Sequence, residues 1–328
     1  MPARIRRRTR DVQWIYPREP SLQEGIGTRW IGDPLNRAYL ALPAIAGALW
    51  GSAGVFVREF GAAGMDSAAI VLTRLIFGTA ILLAVIIAMD PRLLKVRKGD
   101  IPLMLLCGIS LAGVNIFYTE SAANADLSLA AVLLSMSPVF MVVMARMVFG
   151  ERITRRKCLC IMVAVVGCIL VTGFLEESRE VSSWGVAAGL LSAFSYALFG
   201  LSSKRSASEG NSTLTTLFWS MLVAMIVLIP FADLGGIVSY GRQGIPEFLC
   251  MVLHGAVCAV IPNLLYMGAL ARIDAGTVAI LASTGEPVAA ILFGAAVYSE
   301  IPTTLMIAGI ILAIVAMVAI CHPEKTES

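Results

Sequence analysis

Apolar residues run almost without interruption through most of this chain, in stretches separated by short polar breaks. Ten such runs can be drawn: Leu40–Val57, Ala68–Met89, Ile101–Ser121, Leu127–Phe149, Cys158–Phe174, Trp184–Ser203, Leu214–Ala232, Phe248–Leu270, Thr277–Tyr298 and Leu305–Ile320. Each is close to the roughly 17–25 residues that a helix needs to cross about 30 Å of hydrocarbon. None alternates apolar with polar residues as the strands of a membrane barrel do, so the pattern predicts a bundle of membrane helices with short connections.

Composition agrees with the pattern. Hydrophobic residues make up 58% of the 328, charged residues 14%, and the mean hydropathy is +0.83. A soluble domain carries about 25% charge, so the chain reads as an integral membrane protein. The net charge of +3 does not point to nucleic acid, because the basic residues sit between runs and in the first 37 positions, where lipid headgroups account for them. Residues 1–37 are arginine-rich with no apolar stretch, which predicts a disordered cytoplasmic arm and no signal peptide; a wrongly chosen upstream start would leave the same pattern. The seven cysteines lie in or beside apolar runs, lack zinc-ligand spacing and have two histidines for company, so neither a metal nor another cofactor is expected.

The polar residues inside the runs repeat. Asn115, Tyr118, Asp126, Pro138 and Glu151 are spaced by 3, 8, 12 and 13; Asn263, Tyr266, Asp274, Pro287 and Glu300 are spaced by 3, 8, 13 and 13. That is one unit written twice with a single-residue slip, and GALWGS around Trp50 answers SAFSYA around Tyr196. The units are residues 38–176 and 182–321, joined near the acidic EESRE at 176–180 and followed by a short cytoplasmic tail, 322–328. Each holds five runs. Five is odd, so the second unit enters the membrane from the opposite side. Charge tests this separately: with both termini in the cytoplasm, 20 of the 25 Lys and Arg fall inside and three outside, with Arg74 and Arg146 within runs. Equivalent loops shift charge as inversion requires, since ERITRRK carries four basic residues where its counterpart EIPTT carries none. The expected fold is thus all-α, ten transmembrane helices in two inverted five-helix repeats.

The Trp50–Gly51 pair, Arg74 in the second run, and the signatures MSPVFMVVMARMVFGERI and GEPVAAILFGAAVYSEIP make the chain resemble the ten-helix drug/metabolite transporter superfamily, specifically EamA-type exporters, from about Leu40 to Ile320. The resemblance implies a central cavity between inverted halves and movement of a small metabolite by alternating access. Nine residues after each unit's glutamate the family tends to have glycine. Gly309 fits and Cys160 departs, although small residues recur at Gly167 and Ala316, in keeping with close helix contact.

Several residues are candidates for chemistry. Glu286 falls near the middle of its run, where a lone charge costs at least ~2.5–3.5 kcal/mol, so it is paired, neutral or facing water; its repeat counterpart is Ser137. Arg74 lies about 5 Å shallower by the 1.5 Å helical rise, within reach of a long side chain, and can pair with Glu286, snorkel outward, or bind a substrate carboxylate. Asn115 with Tyr118, and Asn263 with Tyr266, each share a helix face, and together with Trp50, Tyr196 and His254 they are either a pocket lining or interhelical packing. Pro138 and Pro287 each withhold a helical N–H, from Leu134 and Ser283, and so predict kinks or hinges. Asp126 and Asp274 are expected as helix N-caps, and Glu151 and Glu300 as loop residues.

No phosphate-binding G-x-x-x-x-G-K, H-E-x-x-H or catalytic triad is present, so an enzyme is not expected. The reading is a secondary exporter of small amphipathic metabolites, amino acids or related compounds, in a bacterial cytoplasmic membrane. Its partners are a small solute and the bilayer; the coupling ion, with a proton among the options, and the oligomeric state stay open. A membrane enzyme acting on a lipid-linked substrate, or a transporter of cationic drugs or nucleotide-sugar-like metabolites, are the alternatives.

Overall fold

The computed structural model describes residues 34–124, 127–172, 182–299 and 301–321, and the regular elements among them are all helices, with no strand. The arm at 1–33, Asp126, the 176–180 junction, Glu300 and the tail lie outside the described residues. In chain order the helices are α1 (Pro34–Gly51), α2 (Ala53–Ala62), α3 (Ser67–Met89), α4 (Ile101–Asn124), α5 (Leu127–Leu134), α6 (Ser137–Phe149), α7 (Arg155–Val171), α8 (Ser183–Ser208), α9 (Thr213–Leu228), α10 (Leu234–Gly241), α11 (Ile245–Gly255), α12 (Ile261–Leu270), α13 (Ala275–Tyr298) and α14 (Thr304–Cys321). Taking nearly continuous segments together, nine among the described residues are long and apolar enough to cross a membrane. The tenth apolar run falls on α7, whose 17 residues start three positions before the predicted run.

Three interrupted segments carry local causes. The first span breaks at Ser52 and continues as α2 to Ala62, five residues beyond the predicted end at Val57, which places Arg58 on a helix instead of in a loop. Pro138 sits in the first turn of α6, and the chain between α5 and α6 is a turn at Ser135 and Met136. Pro138 therefore starts a new helix, where its missing N–H costs nothing. Pro287, by contrast, lies inside an unbroken α13, and the Ser283 carbonyl that it leaves without a helical donor faces the Cys168 thiol at 4.0 Å. Residues Ala256–Val260, between α11 and α12, wind as a π-helix immediately before Pro262, which has no N–H to return to Cys258.

Packing relies on small residues, as expected where lipid tails are as apolar as leucine and association depends on close contact. Helix α1 lies along α13, α4 along α8, and α7 along α14. At the last contact, Gly167 and Gly309 leave so little room that a Cβ on Gly309 would stand 2.7 Å from the Gly167 carbonyl. Tyr266, Leu82, Met141, Leu217, Met221 and Leu270 fill the centre of the bundle.

Candidate functional site

Helices α1, α3, α4, α8, α12 and α13 bring most of the predicted polar residues to the middle of the bundle. Trp50 at the end of α1, Tyr196 on α8 and Tyr266 on α12 form a triangle of rings with centroids 6.0, 5.5 and 5.6 Å apart, edge-on or tilted to one another. Such geometry places the positive ring edge against a neighbour's negative face. Tyr266 is fully buried with its hydroxyl against Gly200, where a Cβ would lie 2.7 Å from the oxygen, and that hydroxyl makes no hydrogen bond among the described residues. Trp50 and Tyr196 keep partial exposure, as does Tyr118, which joins none of these ring contacts among the described residues.

Asn115 and Asn263 behave alike. Each turns its amide nitrogen back to the carbonyl one turn earlier, Leu111 and Ala259, both at 2.7 Å. That bond orients the side chain, and on Asn115 it presents Oδ1 to Arg74, whose guanidinium donates to it. Asn263 meets no cation among the described residues, so the two units differ here.

Arg74 gives one of its donors to Asn115 and makes no ion pair with Glu286. Of the alternatives open at the level of sequence, the direct Arg74–Glu286 bridge is thus absent from this structure, and the reason is geometric: Asn115 holds the guanidinium. Among the described residues Glu286 accepts no hydrogen bond and joins no ion pair, yet it is half-buried. Arg74 on α3, Tyr118 on α4, Cys168 on α7, Tyr196 on α8 and Cys258 of the π-helix all lie within its electrostatic reach. Helices from both units thus surround it.

His254 lies at the edge of this group, within electrostatic reach of Arg74. It is buried between Phe56 and Phe60, with ring centroids 5.0 and 5.2 Å away, and its Nδ1 has no partner among the described residues. The break at Ser52 and the π-helix meet beside it, Ser52 Oγ lying 3.7 Å from Cys258 Sγ. Pro262 was the sequence signal for that irregularity.

At the end of the bundle carrying the α6–α7 loop, three charged residues do more than their sequence positions suggested. Glu151, expected to shape a loop, accepts from Lys204 Nζ at 2.6 Å and from the Ala275 N–H at 3.1–3.2 Å, so it caps α13 from the other unit. Lys157 on α7 reaches Asp274 at 2.7 Å, and Asp274 caps α13 by accepting from the Thr277 N–H. Burial alone would raise the Asp274 pKa, but Lys157 and the Thr277 N–H outweigh it and hold the carboxyl below its ordinary 3.8. A folded value below the unfolded one means that this group adds stability above that ordinary value, and that the gain fades as pH falls through the lower folded value. Asp274→Ala is expected to cost about 1–2 kcal/mol in thermal unfolding and Asp274→Asn less, because asparagine still caps. Equal losses from the two would show that the cap is not what Asp274 supplies.

The model of the EamA-like transporter family matches the chain twice, over residues 37–173 and 183–321. The pseudopaline exporter CntI of Pseudomonas aeruginosa is 27% identical over 297 residues, covering 89% of this chain and 98% of that one. Protein RarD of Salmonella typhi is 27% identical over 240 residues, 71% and 78% of the two chains. Among solved structures, one described only as the crystal structure of a protein superimposes with a TM-score of 0.71 over 86% of this chain and 96% of its own, at 16% identity, a likeness of fold.

Proposed function

Since the chain belongs to the EamA-like transporter family, we propose that it is a secondary exporter of small zwitterionic metabolites, amino acids or related aminocarboxylates, working by alternating access between two inverted five-helix halves. The observation that carries the substrate class is the separation of Arg74 from Glu286: a guanidinium with donors to spare and a carboxylate without a partner among the described residues, close but unbonded, on helices from different units. A solute bearing a carboxylate and an ammonium group satisfies both, with Trp50 and Tyr118 offering ring surface beside it. The relative named as an exporter spans nearly its whole length here, which favours outward transport.

Support for two exchangeable halves comes from the contact pattern, and with an odd five spans read in each half such an exchange is an inversion. Exchanging the units turns the α1–α13 contact into α8 with α5 and α6, turns α4–α9 into α3 with α11 and the π-helix, and returns α7–α14 to itself; all of these contacts are present. The excess of Lys and Arg on one side favours cytoplasmic termini.

Counterflow in proteoliposomes tests the reading. Liposomes loaded with one unlabelled solute are offered labelled amino acids, polyamines or cationic drugs. Saturable exchange is expected for amino acids, and competitors that lack either the amine or the carboxylate should fail. Exchange confined to polyamines or drugs overturns the zwitterion reading, and a folded protein that exchanges nothing counts against transport of these classes altogether.

A further inference from the structure

Two contacts at opposite ends of the bundle match under the internal repeat. Lys204 lies eight residues after Tyr196, and Arg58 eight residues after Trp50, its counterpart. Phe149 lies two residues before Glu151, and Tyr298 two before Glu300. In the structure Lys204 Nζ sits 5.5 Å from the Phe149 ring centre, and Arg58 Cζ sits 4.6 Å from that of Tyr298. A cation from the first span of one unit thus lies over an aromatic ring at the end of the fourth span of the other, once at each end. The aromatic residue and the cation differ between copies, so what is kept is the interaction and not the residue types.

We propose that these are two latches of one design, Lys204–Phe149 and Arg58–Tyr298, each holding the two units together at one membrane face, and that transport requires them to open in turn. The inference rests on the transporter reading above. The helices involved make it mechanical. Lys204 also bonds Glu151 and the Ile273 carbonyl at 2.9 Å, and Glu151 holds the first N–H of α13, so releasing Lys204 frees the ends of α6, α8 and α13 together. At the other end Tyr298 donates to the Val55 carbonyl at 3.3 Å, which fastens the far end of the same α13 to α2. Helix α13 carries Glu286 between the two fastenings. An opening at either end therefore moves the helix that bears the unpaired carboxylate, linking an occupied site to the choice of exit.

Hydrogen–deuterium exchange of the full-length protein in lipid nanodiscs reads each latch without knowing the solute. Lys204→Met and Phe149→Leu should each speed exchange of the amides at 273–277 about tenfold, through easier local opening of the start of α13, and leave 53–62 unchanged. Arg58→Met and Tyr298→Leu should do the reverse. Lys204→Arg should behave like the wild type. Phe149→Leu is the discriminating variant, because it leaves the Lys204–Glu151 ion pair intact and serves even if Lys204→Met folds poorly. Loosening at both ends by every variant, or at neither, overturns the proposal. Counterflow on the same preparations separates the two readings: exchange of solute without end-selective loosening overturns the latches alone, whereas end-selective loosening in a protein that exchanges no solute overturns the transporter reading and the gating role with it.

Discussion

Glu286→Gln is expected to lower counterflow of zwitterionic solutes about a hundredfold while leaving thermal unfolding unchanged or slightly raised. The two halves of that expectation come from one fact, the absence of any partner for this carboxylate among the described residues. A charge in the middle of a membrane span costs at least ~2.5–3.5 kcal/mol unless something compensates it, and no described side chain does so directly. Neutralising it removes a cost and breaks no bond, so the fold loses nothing. The bound solute, however, loses its counter-charge, and truncating one member of a buried charge pair costs about 2–5 kcal/mol of binding. A structural carboxylate gives the opposite signature, a fall in unfolding temperature with transport surviving in the protein that folds. Asn115→Leu probes the other charge: Arg74 loses the oxygen that orients it, and affinity for the zwitterionic solute, read from its half-saturation in counterflow, should fall.

How much of this could be read from residues alone varies with the kind of contact. The spans were legible because a soluble chain seldom holds one apolar run long enough to cross a bilayer, still less ten in succession, and the duplication because its polar markers keep their spacing. Trp50, Tyr196 and Tyr266 were each visible as aromatic residues in spans, but not that three rings from α1, α8 and α12 close on one another, since nothing in spacing sets distances between helices. Glu286 stood out because a charge in an apolar run is expensive; Lys204, Lys157 and Glu151 did not, because charges at span ends are ordinary and an interfacial lysine looks the same whether it meets water or a carboxylate. Pro138 and Pro287 are equivalent in the repeat and unlike in effect, one opening a helix and the other riding inside one. Proline dictates which N–H is missing, while the neighbouring chain decides whether the helix survives.

The seam between α1 and α13 gives the sharpest stability contrast, between two glycines three residues apart. A Cβ on Gly51 would lie 2.5 Å from the Glu286 carbonyl oxygen and 2.8 Å from the Ala289 methyl, whereas one on Gly54 would meet nothing within 4 Å. Gly51→Ala is therefore expected to destabilise by about 3 kcal/mol, at the upper end of the cost of overpacking, because backbone and not a flexible side chain stands in the way. Gly54→Ala, on the exposed side of α2, should be neutral or stabilising by up to ~1 kcal/mol, as removal of a helical glycine usually is. Comparable effects from both, measured by thermal unfolding in detergent, would mean that α1 and α13 do not meet through their backbones. The same clash reaches the site. The atom that Gly51→Ala would displace is the carbonyl of Glu286 itself, and Gly47, one turn earlier, leaves room for the Glu286 N–H. Whatever Gly51→Ala still folds should bind solute more weakly, because relief of the clash requires α13 to shift and carry the carboxylate away from Arg74. Gly54→Ala, touching neither helix nor site, should keep wild-type affinity, so stability and binding should fall together at Gly51 and hold together at Gly54.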